Sequence, residues 1–183
     1  MLKVIAISGM PASGKSTVSK ILNKKGVKLI HLGDFIWNYL KEQHIRRTQE
    51  TGNMASLYFW AQYKDIPIAE WAYEQIMKKD SEIYIIDGIR AVEEVQFFRH
   101  KFKNNFLLVS VLASPKIRKS REEKRKRFRK IDFEVRDKEE LTIGVGEVIA
   151  ISDYYIDGNK TKKEVKKQAE AIFKEILGKV YKV

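Results

Sequence analysis

Residues 2–16 read LKVIAISGMPASGKS, an apolar run that leads directly into a glycine-bounded turn. Residues 4–7 are consecutively apolar, which is typical of a strand buried on both faces. The turn at residues 9–16 has the spacing G-x-x-x-x-G-K-S. In such a turn, backbone N–H groups at the start of a helix surround the oxygens of a nucleotide triphosphate, and glycines let the backbone approach them closely. We therefore predict that residues 9–16 bind ATP and magnesium.

Three side chains are predicted to act on the phosphates and the metal. Lys15 would reach the β- and γ-phosphates, and the Ser16 hydroxyl would coordinate magnesium. Asp87 ends the apolar run 83–86, where a carboxylate can hold magnesium through water. An Asp-Gly pair after a strand is also a common plain turn, but the phosphate loop on a neighbouring strand favours the metal site. Arg90, three residues later, would point into the crevice that holds the phosphates.

Short apolar runs alternate with longer helical stretches along the chain, which predicts an α/β fold with a parallel sheet covered on both faces. Ligands of such sheets bind beyond the carboxyl ends of the strands, where all the motifs discussed here fall. The predicted strands are 2–8, 27–32, 82–87, 105–112 and 153–157, and the predicted helices are 14–25, 34–43, 55–78 with a break near Pro67, 91–102, 115–130, 138–151 and 161–177.

Asp34 follows the second predicted strand. One predicted role is the N-cap of the next helix, and another is to orient or deprotonate the hydroxyl of a phosphoryl acceptor. The two roles are compatible, and Asp34 is a predicted catalytic and acceptor-binding residue. The region from 34 to 75 is rich in aromatic side chains, whose helical spacing favours core packing, with stacking on a base in an acceptor pocket as the alternative.

Arginines cluster after the fourth predicted strand, and three of them share one helical face at i, i+3 and i+7: Arg118, Arg121 and Arg125. Arginines that close over a transferred phosphoryl group stabilise its charge, so this segment is predicted to be a lid and these three residues catalytic. A solvated basic helix and an RNA-binding face are the alternatives.

The composition limits the class of protein. The chain has 183 residues, which suits one domain, and its formal net charge of +12 favours partners that carry phosphate. It has no cysteine, so disulfides, thiolate metal sites and cysteine nucleophiles are excluded. No apolar run is long enough to span a membrane, and the sequence opens directly into a strand. We expect a cytoplasmic protein without membrane contact.

These motifs, in this order, resemble the nucleoside monophosphate kinases, above all adenylate kinase. The strings GMPASGKS, GD, DGIRAVEEV, RD and GEVIAISDYYI resemble an archaeal group of adenylate-kinase-related P-loop proteins over nearly the whole chain. The resemblance implies a three-layer P-loop NTPase fold with strand order 2-3-1-4-5, an acceptor-binding insertion at about 34–78 and a lid at about 115–137. It implies that ATP contacts Gly9, Pro11, Ala12, Ser13, Gly14, Lys15, Ser16 and Thr17, and that the acceptor lies near Asp34 and Arg90.

The layout is also similar to that of dephospho-coenzyme A kinase, in which an aspartate after the second strand acts on a ribose hydroxyl, as Asp34 would here. One departure concerns the acceptor. Adenylate kinases have an arginine three residues after this aspartate, whereas this chain has Trp37, with Arg46 and Arg47 as nearby substitutes. We predict a monomeric or homodimeric kinase for a nucleotide-like acceptor such as AMP, with an RNA-associated ATPase switch as the alternative.

Overall fold

The computed structural model describes residues 2–22, 27–78, 80–124 and 132–178. Among them, five parallel strands form one sheet in the order β2-β3-β1-β4-β5. The predicted α/β class and strand order are therefore confirmed. The strands are β1 (Lys3–Ser8), β2 (Val27–His31), β3 (Ile83–Asp87), β4 (Phe106–Leu112) and β5 (Tyr154–Asp157).

Helices cover both faces of the sheet. Successive strand residues point to opposite faces, and the strands carry apolar residues on both, so each face is buried against helices. Val4 and Ala6 of β1 belong to one buried cluster, and Ile5 and Ile7 belong to the other. The first cluster includes residues of the helices at 33–42, 49–63, 66–77 and 92–102, and the second those of the helices at 15–22 and 162–177. The helices are α1 (Lys15–Leu22), α2 (Gly33–Glu42), α3 (Gln49–Tyr63), α4 (Ile66–Met77), α5 (Val92–Phe102), α6 (Pro115–Lys124), α7 (Phe133–Ile143), α8 (Val145–Ala150) and α9 (Lys162–Leu177).

The prediction that Asp34 caps α2 is wrong. The helix follows β2 so closely that its N-cap is Leu32, which already has helical backbone angles and makes no side-chain capping bond. The N–H of Leu32 donates to the carbonyl oxygen of Asp87 over 3.0 Å, so the start of the helix is tied to the end of β3. Asp34 is exposed in the first turn of α2.

The helical region between β2 and β3 also differs from the prediction. α3 begins at Gln49 because the hydroxyl of Thr48 accepts a hydrogen bond from the N–H of Thr51, a capping interaction that the prediction missed. The break predicted near Pro67 is present, at Lys64 and Asp65, which both have left-handed backbone angles (φ 52° and 59°). Pro67 lies in the first turn of α4, where its missing N–H costs no hydrogen bond.

The predicted helix 138–151 is in fact two helices, because Gly144 has a φ of 116° and ends α7 before α8 begins. The ends of the predicted helices 14–25 and 115–130 lie partly outside the described residues. No helix in the described part of the chain is both long and apolar enough to cross a membrane.

Candidate functional site

The phosphate loop connects the end of β1 to α1 at the carboxyl edge of the sheet. The amine of Lys15 folds back over the loop and donates to the carbonyl oxygens of Gly9 and Met10, the latter over 3.1 Å. Burial lowers the pKa of Lys15, although the negative charges of Glu140 and Asp87 act against that shift. An ammonium group has three donors, so one remains for an anion on the loop.

The hydroxyl of Ser13 supports the same interpretation of the loop. Ser13 is 1% exposed, and its Oγ has no hydrogen-bond partner within the described residues. An unpaired buried hydroxyl is costly unless a partner satisfies it. The loop therefore fits a ligand that brings further hydrogen-bonding atoms, such as a phosphate group.

The predicted metal residues lie at the carboxyl ends of two adjacent strands, Ser16 in the helix after β1 and Asp87 at the end of β3. Ser16 is exposed at the start of α1, and Asp87 ends β3, in register with Ile7 of β1. The side chain of His31 lies 3.3 Å from Asp87, and this hydrogen bond raises the pKa of the histidine. The described residues contain no group of three or more histidine, cysteine or acidic side chains that gather as metal ligands. One hydroxyl and one carboxylate suit Mg²⁺, which usually keeps waters and binds substrate phosphates.

A cavity of about 490 Å³ lies next to the loop after β3, between α2, α3 and α7. We call it the acceptor cavity, after the acceptor site predicted near Arg90. The side chain of Arg90 lines it, donates to the Ser56 hydroxyl over 3.2 Å and lies 3.7 Å from the Glu140 carboxylate. Asp34 is not among the described residues that line it, although its neighbour Gly33 is. The lining residues are Gly33, Ile36, Trp37, Arg47, Thr48, Gln49, Gly52, Asn53, Ser56, Leu57, Arg90, Arg136, Glu139, Glu140 and Ile143.

Helix α7 forms one wall of this cavity, and the sequence analysis missed its contribution. The Glu139 carboxylate accepts a hydrogen bond from Asn53 of α3 over 3.3 Å, and Glu140 faces Arg90. A signal was present, because Glu139 and Glu140 closely follow the RD string, but only the fold brings α7 against α3. One wall of the cavity is therefore formed by a helix whose first residues, 133–137, fall within the predicted lid.

A smaller cavity of about 240 Å³ lies on the outer side of the phosphate loop. Its walls combine residues of the loop with basic side chains from two other parts of the chain. The cavity therefore borders the loop that is predicted to hold the phosphates. Its described lining residues are Ala12, Ser13, Gly14, Thr17, Arg121, Lys124, Lys160, Lys162 and Val165.

The predicted lid arginines contact the outside of the phosphate loop. Arg121 donates to the carbonyl oxygens of Ser13 over 3.0 Å and Gly158 over 2.6 Å. Arg118 is 3% exposed and engages the Asp137 carboxylate with both ends of its guanidinium group. The predicted closure of Arg118 over the phosphoryl group is therefore not the arrangement in this structure. Arg125, together with the rest of 125–131, lies outside the described residues.

A buried carboxylate holds the loop that carries Arg90. Glu94 is 1% exposed and accepts hydrogen bonds from the N–H groups of Arg90 and Ala91 over 2.8 and 2.9 Å. Burial raises the pKa of Glu94 to about 8 and that of the nearby Asp65 to about 6. Glu94 stands three residues after the helix N-cap, which is the spacing of a capping box.

This raised pKa predicts a pH dependence of stability. Between its ordinary pKa of 4.5 and about 8, Glu94 keeps a proton in the folded protein that the unfolded chain releases. Its stabilising contribution is therefore complete below about pH 4.5 and is lost as the pH rises through 8. We expect the free energy of unfolding to fall between pH 5 and 8, by up to about 1.4 kcal/mol per pH unit. Urea unfolding at several pH values measures it.

The Glu94→Gln variant should lack most of this slope, because its amide does not titrate. Glu70→Gln removes an exposed acid from α4 and is the control. Identical slopes in Glu94→Gln and the unmodified protein would contradict the assignment.

Comparison with known proteins agrees with the fold. Residues 5–142 match the family model described as an AAA domain. The chain is 35% identical over 180 residues to a UPF0200 protein from Methanothermobacter thermautotrophicus, covering 96% of this chain and 92% of that protein. Two similar solved structures are a shikimate kinase from Acinetobacter baumannii (TM-score 0.57, 15% identity, 100% of this chain and 97% of that one) and a gluconokinase from Sinorhizobium meliloti (TM-score 0.62, 15% identity, 98% and 95%).

The sheet order and the phosphate loop thus define a nucleotide-binding P-loop protein with the fold of small kinases. Within that class, the chain belongs to the UPF0200 protein family. The predicted closeness to adenylate kinase and to dephospho-coenzyme A kinase stays a prediction.

Proposed function

We propose that this protein is a magnesium-dependent kinase that transfers the γ-phosphoryl group of ATP to a hydroxyl of a small anionic acceptor that resembles a nucleotide. One observation carries the proposal. The phosphate loop and the arginine-bearing acceptor cavity lie side by side at the carboxyl edge of the sheet. The charge of Glu140 acts on both Lys15 and Arg90, which supports the closeness of the two sites.

Each residue has a distinct role in the proposed reaction. Lys15 would bind oxygens of the β- and γ-phosphates, and Ser16 and Asp87 would hold magnesium. When bound, magnesium supplies positive charge to the phosphate oxygens. Arg90 would bind the acceptor's anionic group and keep its hydroxyl in position. Arg121 would hold the outer side of the loop through Ser13.

The reaction needs one proton acceptor. The hydroxyl oxygen of the phosphoryl acceptor forms a bond to the γ-phosphorus, and the bond between that phosphorus and ADP breaks. The hydroxyl proton passes to a carboxylate of the protein. Asp34 is the predicted carboxylate and is exposed near the end of β2. Glu140 is a second candidate, because it lines the acceptor cavity beside Arg90. Comparing the Asp34→Asn and Glu140→Gln variants assigns the role.

An acceptor screen tests the proposal. ADP release from Mg·ATP is measured with nucleoside monophosphates and dephospho-coenzyme A, and with shikimate and gluconate because of the substrates named for the similar kinase folds. We expect at least one acceptor to raise ADP formation above the rate with water alone, with a phosphorylated product detected by mass spectrometry. ADP formation at the water rate with every acceptor contradicts the kinase proposal.

The RNA-associated switch stays an alternative prediction, supported by the net charge of +12. It predicts RNA binding that weakens steeply with salt and changes when ATP is added. Fluorescence anisotropy with labelled RNA, with and without Mg·ATP, measures both effects. The predicted monomeric or homodimeric state, the cytoplasmic location, the acceptor-binding insertion and the lid also stay predictions.

A further inference from the structure

Trp37 occupies the position at which the resemblance to adenylate kinase implied an arginine for the acceptor's phosphate. In the structure, Trp37 lines the acceptor cavity, and the guanidinium carbon of Arg47 lies 4.3 Å from the centroid of the tryptophan ring. This is the distance of a cation–π contact. An arginine thus reaches this wall of the cavity from the segment before α3 and not from α2.

The backbone on both sides of Arg47 is tied to the first turn of α3. The hydroxyl of Thr51 donates to the carbonyl oxygen of Arg46 over 2.8 Å. Thr48 accepts from the N–H of Thr51 over 3.1 Å, and its own N–H donates to the Thr51 hydroxyl over 3.0 Å. The main chain therefore presents Arg47 in a defined position.

Trp37 is also held in place, because α3 approaches its ring closely. A Cβ at Gly52 would lie only 2.3 Å from Cη2 of Trp37, so only glycine leaves room for the ring there. The tryptophan therefore forms a firm surface over which the Arg47 guanidinium lies.

Arg47 differs from the other arginines of the cavity in its hydrogen bonding. Arg90 faces Glu140 and Ser56, and Arg136 contacts Glu122 over 2.8 Å. Within the described ranges, the guanidinium of Arg47 makes no hydrogen bond and no ion pair, and its only partner is the Trp37 ring. Its donors are thus available to an anion in the cavity.

We propose that Arg47, held on Trp37, binds the anionic group of the acceptor, a phosphomonoester or a carboxylate, together with Arg90. The proposal rests on the proposed kinase function and adds the residue that selects the acceptor by charge. Because the guanidinium covers the tryptophan ring, Trp37 supports an arginine and offers that face to no nucleobase. The arginine that α2 lacks is supplied by the chain ten residues further on.

Binding by calorimetry in the presence of Mg·ADP tests this assignment. The probes are AMP and dephospho-coenzyme A, which carry phosphate, and shikimate and gluconate, which carry a carboxylate; adenosine is the uncharged counterpart of AMP. We expect Arg47→Leu to weaken binding of at least one anionic probe by about 10-fold or more. Trp37→Leu should weaken it in the same direction, because the guanidinium loses its support. Which probe responds distinguishes phosphate from carboxylate.

Arg46→Leu is the matched control, because Arg46 is the adjacent arginine and does not line the cavity. It should bind every probe as the unmodified protein does, and adenosine binding should be equal in all variants. The assignment is overturned if no anionic probe binds, if Arg47→Leu binds them unchanged, or if Arg46→Leu weakens them equally. Binding that depends on Arg47 without phosphoryl transfer would refute the kinase function and leave the anion site standing. Phosphoryl transfer that does not depend on Arg47 would refute the anion site and leave the kinase function standing.

Discussion

Replacing Lys15 with alanine is expected to lower the rate of ADP formation by at least about 100-fold, the usual cost of removing a group that stabilises developing charge. Lys15 is the loop's only side-chain cation among the described residues 9–17, and its amine already lies over the loop carbonyls. The amine is withdrawn from water, which lowers its pKa and also strengthens its attraction to a phosphate. Calorimetric titration with Mg·ATP and an ADP-release assay measure the two effects.

Lys20→Ala is the control for this prediction, because it removes an exposed lysine from the same helix. Its binding and turnover should match those of the unmodified protein. Both variants should unfold at similar temperatures, which separates a lost phosphate contact from a lost fold. Unchanged Mg·ATP binding in Lys15→Ala would overturn the nucleotide site itself, and the proposed function with it.

Replacing Arg118 with alanine is expected to lower the free energy of unfolding by about 3–5 kcal/mol, the cost of breaking a buried ion pair from one side. Its guanidinium contacts Asp137 at two oxygens, one of them over 2.6 Å. It also donates to the carbonyl oxygen of Ala113 over 3.0 Å and lies close to that of Pro11. The residue thus joins α6, α7 and the phosphate loop. Urea unfolding without nucleotide measures the effect.

The exposed pair Lys119–Glu134 joins the same two helices and supplies the control. Lys119→Ala should leave stability unchanged, because exposed ion pairs contribute little. The double variant Arg118→Leu with Asp137→Leu should recover part of the loss, because it leaves neither charge without a partner. If Arg118→Ala is as stable as the unmodified protein, the buried pair is not what holds these helices together.

The sequence predicted the elements whose signals are local. The apolar run of β1, the glycine-bounded turn and the apolar run before Asp87 each lie within a few residues, and all three lie in the structure where they were predicted. The ends of helices were predicted less well. Thr48 and Gly144 act through one hydrogen bond or one backbone angle, which a periodic pattern of apolar residues does not record.

The candidate site was also predicted only in part. The arginine pattern after β4 predicted a cluster that acts on phosphate, but it did not distinguish Arg118, which is buried against Asp137, from Arg121, which lies over Ser13. Helical spacing places residues on one face of a helix and does not state what packs against that face. Likewise, nothing local distinguished Arg46 from Arg47 as the substitute for the missing arginine.

The sequence by itself determined the phosphate loop, the parallel sheet and the edge of the sheet that carries the candidate site, because these depend on contiguous residues and on strand and helix periods. Only the tertiary structure decided which side chains form the acceptor cavity. Trp37, Arg47, Arg90 and Glu140 come from four separate segments. Their meeting depends on how α2, α3 and α7 pack around the end of β3, and long-range packing of this kind leaves no signal in neighbouring residues.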